Sequence, residues 1–368
     1  MTSDISELLD LMETNLQIMV KDGVEQLESD TENEQKLKNG ETVSLLGNVG
    51  SFVDRLDQEF NKSMQSIDVH STEYVERLRV EFELYALIVR AMKYYTENKN
   101  MDAKAIILNS RLEHIYYKPL KLVRAFENKV AEKYPSLVSF LQSPNPVELL
   151  CDECYALPYD RLHIKAALYQ AYHYALHNNY EHARDVILYS RVQETILSHD
   201  IPTQSLYNRT IAQFGISAFT HGHMKECVFA LHDLFTNNRA RELLAQSKQH
   251  TPYVPFHMHI QVDLLECVFM TASMFLEIPN YCQVERKKIV LSKPFKKLWD
   301  FSERTVFMGT PETSKEKILH AAKAMIRGDW EFAEELVLGM PVWQYLEGKE
   351  NLLKLLRMYV SIFRLFRS

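Results

Sequence analysis

The sequence predicts an all-α fold, an irregular solenoid of unequal helical hairpins, on the strength of three observations. Apolar residues recur at three- and four-residue spacing through most of the chain. Ten Gly and 12 Pro among 368 residues are too few for a turn-rich β architecture. One local pattern is also written three times. With Asn178, Gly222 and Gly328 aligned, a small residue stands seven places earlier (Ala171, Gly215, Ala321) and a bulky apolar one two places later (Tyr180, Met224, Trp330). A second small residue follows (Ala183, Cys227, Ala333), with an aliphatic four beyond it (Ile187, Leu231, Val337).

Each copy has the marks of an antiparallel helix pair. Small residues let two axes approach to about 8–10 Å. Gly or Asn takes the positive-φ position that ends the first helix, and the bulky residue after the turn packs back into the pair. The spacing is like that of tetratricopeptide repeats, whose period is about 34 residues. The copies here lie 44 and 106 residues apart, so the repeat is irregular.

In chain order, Ile5–Val20 has an amphipathic helical pattern, and residues 21–40 form a polar, acidic connector. Helical patterns follow over 42–67 and from Thr72 to about Asn98, then through Ala105, Ile106, Leu108, Leu112 and Ile115 with Asp102 as the expected N-cap. Residues 118–133 are basic and helical until Tyr134-Pro135 interrupts them. Ile201-Pro202 is expected to stop the second helix of the first hairpin, because the residue before Pro avoids the α region. A short helix over 239–245, a very apolar one from Ile260 to Ile278 ended by Pro279, the third hairpin over 314–339 and a terminal helix over 352–366 complete the chain. The expected divisions are 1–40, 41–150, 151–280 (the central repeats) and 281–368 (a basic segment and further helices).

Hydrophobic residues make up 46% of the chain, enough for a continuous core. Five Cys without a paired framework point to a reducing, cytoplasmic setting. No uncharged apolar run reaches the roughly 20 residues that span a bilayer. Met1–Asp10, with Asp4, Glu7 and Asp10 and no early Lys or Arg, is not expected to be a targeting peptide. The net charge of −7 is uneven, acidic over the first sixty positions and basic over 285–297.

Chemical motifs are few. Cys151 and Cys154 form a lone CxxC without the second pair of ligands that a zinc site needs. His257-Met258-His259 has the form of a metal-hydrolase HxH but lacks a surrounding strand pattern, and His221-Gly222-His223 falls at an inter-helix turn. There is no phosphate loop, nucleophile elbow or HExxH. No cofactor or catalytic residue is expected. The basic run Arg286, Lys287, Lys288, Lys293, Lys296 and Lys297, interleaved with Phe295 and Trp299, is the nucleic-acid candidate. Cations contact phosphates, and an aromatic stacks on an unpaired base. The same run also fits an acidic partner or a solvated face. The terminal helix, with Lys354, Arg357, Arg364 and Arg367 on an otherwise apolar surface, suits a partner or core helix better than a membrane surface.

Several strings resemble the c-type subunit of eukaryotic translation initiation factor three. They are Thr72-Glu73-Tyr74-Val75-Glu76-Arg77-Leu78-Arg79, His114-Ile115-Tyr116-Tyr117-Lys118 and His173-Tyr174-Ala175-Leu176-His177. The most specific is Leu206-Tyr207-Asn208-Arg209-Thr210, followed by Gln213-Phe214-Gly215-Ile216 and later by Pro255-Phe256-His257-Met258-His259-Ile260. The resemblance implies a non-catalytic scaffold that holds the multi-subunit factor together. It also implies docking on the small ribosomal subunit during preinitiation complex assembly, with ribosomal RNA in reach. In fold it implies the start of a PCI-type module without its winged helix, which in the family continues past the equivalent of Ser368. The family's N-terminal region, associated with initiation factors one and five, corresponds to at most a short acidic remnant in residues 1–40. Polar family insertions around Lys118 and Lys248 are absent. Two rivals are a lid-type scaffold of a proteasome or signalosome, which the Tyr207-Asn208-Arg209-Thr210 string disfavours, and a metal hydrolase using His257 and His259.

Overall fold

The computed structural model describes residues 49–141, 143–236, 239–248, 253–282, 292–304 and 310–346, with Lys354 and Arg357. The expected helix over 5–20, the connector over 21–40, Arg286, Lys287, Lys288 and all but two residues of the terminal helix lie outside these. Among the described residues every regular element is a helix, as the composition and periodicity require. The chain divides into two compact units, Met1–Tyr169 with Pro255–His257, and Gln170–Val254 with Met258–Ser368.

In the first unit, α1 (Val49–Ser66), α2 (Thr72–Glu97) and α3 (Met101–Ile115) pack on one another. Their apolar stripes bury Val53, Phe60 and Met64 with Leu84, Ile88 and Met92 and with Ile107, Leu108 and Leu112. Ser71 caps α2 by accepting the Tyr74 N–H at 3.3 Å. The cap of α3 is Asn100, which accepts the Ala103 N–H at 3.3 Å, and not Asp102. Lys99 adopts the left-handed conformation (φ 53°), which delivers Asn100 in the extended geometry of a cap. Asp102 sits instead in the first turn, where its charge complements the helix dipole. Then come α4 (Leu120–Lys133), a 3₁₀ turn at Pro135–Leu137, α5 (Val138–Leu141), α6 (Pro146–Tyr155) and α7 (Asp160–Leu176).

This unit also buries charge that no sequence pattern announces. His114 on α3 lies between two carboxylates, with Nε2 3.1 Å from Asp57 Oδ1 of α1 and Nδ1 3.1 Å from Glu81 Oε1 of α2. Lys118 Nζ (2.6 Å) and the Tyr117 hydroxyl (3.1 Å) donate to the same Glu81 oxygen. Arg111, one turn earlier on α3, donates to Glu127 of α4 at 2.6 Å and to the Tyr85 hydroxyl at 3.2 Å, and Tyr85 in turn donates to Glu127 at 3.2 Å. These polar groups clasp four helices from inside, with each carboxylate paired to a cation.

In the second unit the aligned turns are built alike. Asn178 (φ 54°), Gly222 (φ 83°) and Gly328 (φ 90°) are all left-handed. In each, the next residue's N–H reaches back five positions: Asn179 to Tyr174 at 2.9 Å, His223 to Ala218 at 2.9 Å, and Asp329 to Ala324 at 3.0 Å. This is the Schellman closure. The turns end α7, α10 (Ile201–Thr220) and α15 (Ser314–Arg327), and lead into α8 (Tyr180–Ser190), α11 (Met224–Thr236) and α16 (Trp330–Leu338). A Cβ on Gly215 would lie 2.6 Å from both Cγ and Cδ2 of Leu231, so α10 and α11 meet as closely as backbone allows. Tyr180 and Met224 are buried behind their turns, whereas Trp330 stays half-buried. Tyr180 stacks on His223 (centroids 4.5 Å apart) and on Phe214 (5.3 Å), which lays the first turn against the second.

Two boundaries differ from expectation. Arg191 (φ 48°) ends α8 and leads into a one-turn α9 (Val192–Thr195), so Ile201-Pro202 does not stop that helix. Pro202 instead opens α10, where its missing N–H would have had no partner. After the one-turn α12 (Ala240–Leu243), the apolar helix α13 (Val262–Cys282) runs through Pro279 to Cys282. The stretch Phe256–Ile278, which contains most of α13, is long and apolar enough to cross a membrane, but it is mostly buried inside the fold. The helix packs on α10, α11 and α15 as the central helix of this unit.

Candidate functional site

The motifs that could carry catalysis are absorbed into structure. Cys151 and Cys154 on α6 are fully buried, and the Cys151 thiol donates to the Ala166 carbonyl at 3.5 Å. Burial raises the Cys154 thiol to about 12 and Cys151 well above its usual range, away from the thiolate that metal binding or attack requires. His257 Nδ1 is 3.0 Å from the Tyr74 hydroxyl, and its backbone N–H donates to that oxygen at 3.1 Å. His259 Nε2–H donates to the Val254 carbonyl at 2.7 Å, and burial holds its pKa below the usual value. Among the described residues, no three His, Cys, Asp or Glu side chains gather as metal ligands. His221 and His223 flank the turn at Gly222 and face Tyr180.

The basic run continues into α14 (Lys293–Arg304). Ser292, fully buried, anchors its start: its N–H donates to Glu277 Oε1 at 2.7 Å, its hydroxyl accepts from Ser273 at 3.0 Å, and it accepts the Phe295 N–H at 3.4 Å. Near the other end, Lys323 Nζ of α15 donates to the Ser302 carbonyl at 3.3 Å. Phe295, Trp299 and Ser302 form the buried stripe. The two aromatics interleaved with the lysines in sequence therefore hold the helix down and present no ring for stacking. Their four-residue spacing was the available signal. Lys293, Lys296 and Lys297 are exposed on the other side. The exposed aromatic is Phe301, which leaves 68% of its surface to solvent.

A second surface stands out by its apolarity. Where α8 turns through α9 into α10, Leu188 (60%), Tyr189 (87%), Leu197 (88%) and Ile201 (62%) are exposed within fourteen consecutive residues. Isolated exposed apolar residues are ordinary; a contiguous group of them is the kind of surface that partners cover.

Fold and surfaces together define a class, a helical-hairpin repeat protein whose candidate sites are surfaces for partners. The chain belongs to the family of the C-type subunit of eukaryotic translation initiation factor 3. The family described as "Eukaryotic translation initiation factor 3 subunit 8 N-terminus" matches residues 1–287. The chain is 36% identical to the C-type subunit of this factor from Mycosarcoma maydis, over 95% of its length and 43% of the relative's. It is 34% identical to that of Aspergillus terreus (97% and 45%) and 34% identical to that of Schizosaccharomyces pombe (85% and 37%). The chain thus spans less than half the length of these relatives.

Proposed function

We propose that the chain is a non-catalytic scaffold within translation initiation factor three, binding other subunits of that factor and docking on the small ribosomal subunit as the preinitiation complex assembles. The observation that carries the scaffold reading is the apolar corner at Leu188, Tyr189, Leu197 and Ile201 on a rigid hairpin stack. Such side chains gain by leaving water, at about 25 cal/mol per Å² of apolar surface buried, and another subunit of the same factor is the partner that family membership supplies. Docking is assigned to the basic run, with Lys293, Lys296 and Lys297 on the exposed side of α14 and Arg286, Lys287 and Lys288 preceding them in sequence. Ribosomal RNA or an acidic protein would meet these cations. Contacts with initiation factors one and five belong, on this reading, to residues 1–40.

The Tyr189→Glu, Leu197→Glu double variant should fold as the parent does, because both positions are almost wholly exposed. Affinity purification of the tagged full chain should then recover other initiation factor three subunits at a small fraction of the parent's yield. Recovery at parent stoichiometry, or recovery of proteasomal in place of initiation-factor subunits by the parent, would overturn the assignment.

A further inference from the structure

We infer that Arg77 on α2 seats a carboxylate from the acidic stretch over residues 22–34 of the same chain, which fastens that stretch to the first unit. Four cations are buried among the described residues of this unit: Arg77, Arg111, His114 and Lys118. Arg111 lies 2.6 Å from Glu127, His114 3.1 Å from both Asp57 and Glu81, and Lys118 2.6 Å from Glu81. Arg77 is the exception. It is 6% exposed, its Nε is buried without a hydrogen-bond partner, and among the described residues it forms no ion pair. It stands in the core-facing stripe of α2 with Tyr74, Glu81 and Leu84. Glu81, one turn further along, is already engaged by His114, Tyr117 and Lys118.

A guanidinium keeps its charge throughout the working pH range, so Arg77 cannot escape burial by shedding a proton. A buried ion without a counter-ion is strongly destabilising, and an opposite charge with good hydrogen-bond geometry offsets that penalty. The planar guanidinium fork matches a carboxylate. Residues 22–34 offer Asp22, Glu25, Glu28, Asp30, Glu32 and Glu34, with no Lys or Arg among them. The 15 residue steps from Glu34 to Val49 can span up to about 50 Å. By comparison α1, with 18 residues, is about 27 Å long. Because α1 packs on α2, the connection is long enough to bring the stretch to Arg77. The covalent tether also gives these carboxylates a local concentration that a separate acidic protein lacks.

The test uses the purified full chain. Arg77→Lys keeps the charge and supplies an amine, which a carbodiimide joins directly to a carboxylate in contact with it. Peptide mapping should find this amine linked to a carboxylate within residues 22–34 of the same chain. Linkage to Glu73 or Glu81 on α2, linkage to any other carboxylate, linkage between two chains, or no linkage overturns the inference. A second measurement replaces the six carboxylates by amides (Asp22→Asn, Glu25→Gln, Glu28→Gln, Asp30→Asn, Glu32→Gln, Glu34→Gln) and follows urea denaturation. With Arg77 present, the replacement should raise the unfolding equilibrium constant of the first unit about tenfold or more, as expected on losing hydrogen bonds to a charged group. In the Arg77→Met background it should change nothing. Equal effects in the two backgrounds overturn the inference as well. If Arg77→Met does not fold, the linkage formed by Arg77→Lys decides alone.

Discussion

Glu81→Ala is expected to destabilise the first unit by about 3–5 kcal/mol, the cost of removing one partner from a buried charge cluster. One Glu81 oxygen accepts from His114, Tyr117 and Lys118 at 3.1, 3.1 and 2.6 Å. Without it, a buried ammonium and one side of a buried imidazole face no acceptor. Chemical denaturation at neutral pH measures the loss, and a parent-like midpoint would show that the cluster contributes nothing.

The same cluster sets a pH dependence. Burial alone would raise the Glu81 carboxyl, but the His114 hydrogen bond and the Lys118 charge outweigh it and hold it near about 2. Burial alone would lower the His114 pKa, but hydrogen bonds to Asp57 and Glu81 outweigh it and raise it to about 9. The raised His114 contributes stability that is fully present below its ordinary value of 6.5 and is lost as pH climbs through about 9. The lowered Glu81 contributes stability present above 4.5 and lost as pH falls through about 2. Lys118, lowered by burial, acts against the alkaline loss. The comparison that isolates His114 is therefore the parent against His114→Gln. The parent should lose stability between pH 6.5 and 9, and the variant, less stable at pH 6, should lack that slope. Parallel profiles would remove His114 as the titrating group.

The second large effect is at Gly215. A Cβ there meets Leu231 side-chain carbons at 2.6 Å, and Leu231 is fully buried, so even Ala must push it aside. Gly215→Leu should cost at least the 1–3 kcal/mol typical of overpacking and lower the melting temperature clearly. Leu231→Ala alone should cost about 2–5 kcal/mol by opening a cavity. The pair Gly215→Ala, Leu231→Ala should cost less than the sum of its single changes, since each relieves the other. Additive costs would mean that the two residues do not touch in solution.

Two kinds of information separate cleanly in this chain. The helical class and the three turns at Asn178, Gly222 and Gly328 were legible, because a helix's apolar period and a left-handed turn are set by residues a few positions apart. The left-handed residues Lys99 (φ 53°), Arg191 (φ 48°) and Ala245 (φ 57°) were not, since nothing in those residue types favours a positive φ. With Lys99 left-handed the cap of α3 falls on Asn100, and with Arg191 left-handed α8 ends at Ser190, eleven residues before Ile201.

The candidate surfaces divide in the same way. That the run around Lys293, Lys296 and Lys297 is basic follows from the sequence alone. That Phe295 and Trp299 turn inward while Phe301 turns outward depended on α11, α13 and α15, against which the helix packs. The charge cluster lay furthest from view. His114 meets Glu81 across 33 residues and Asp57 across 57, and each of the three read singly is an ordinary surface residue. The sequence by itself determined the helical class and the three turns at Asn178, Gly222 and Gly328, because those depend on near neighbours along the chain. Which polar groups were buried, and which aromatics of α14 turned inward, only the tertiary structure decided, because both depend on partners that folding brings from far along the chain.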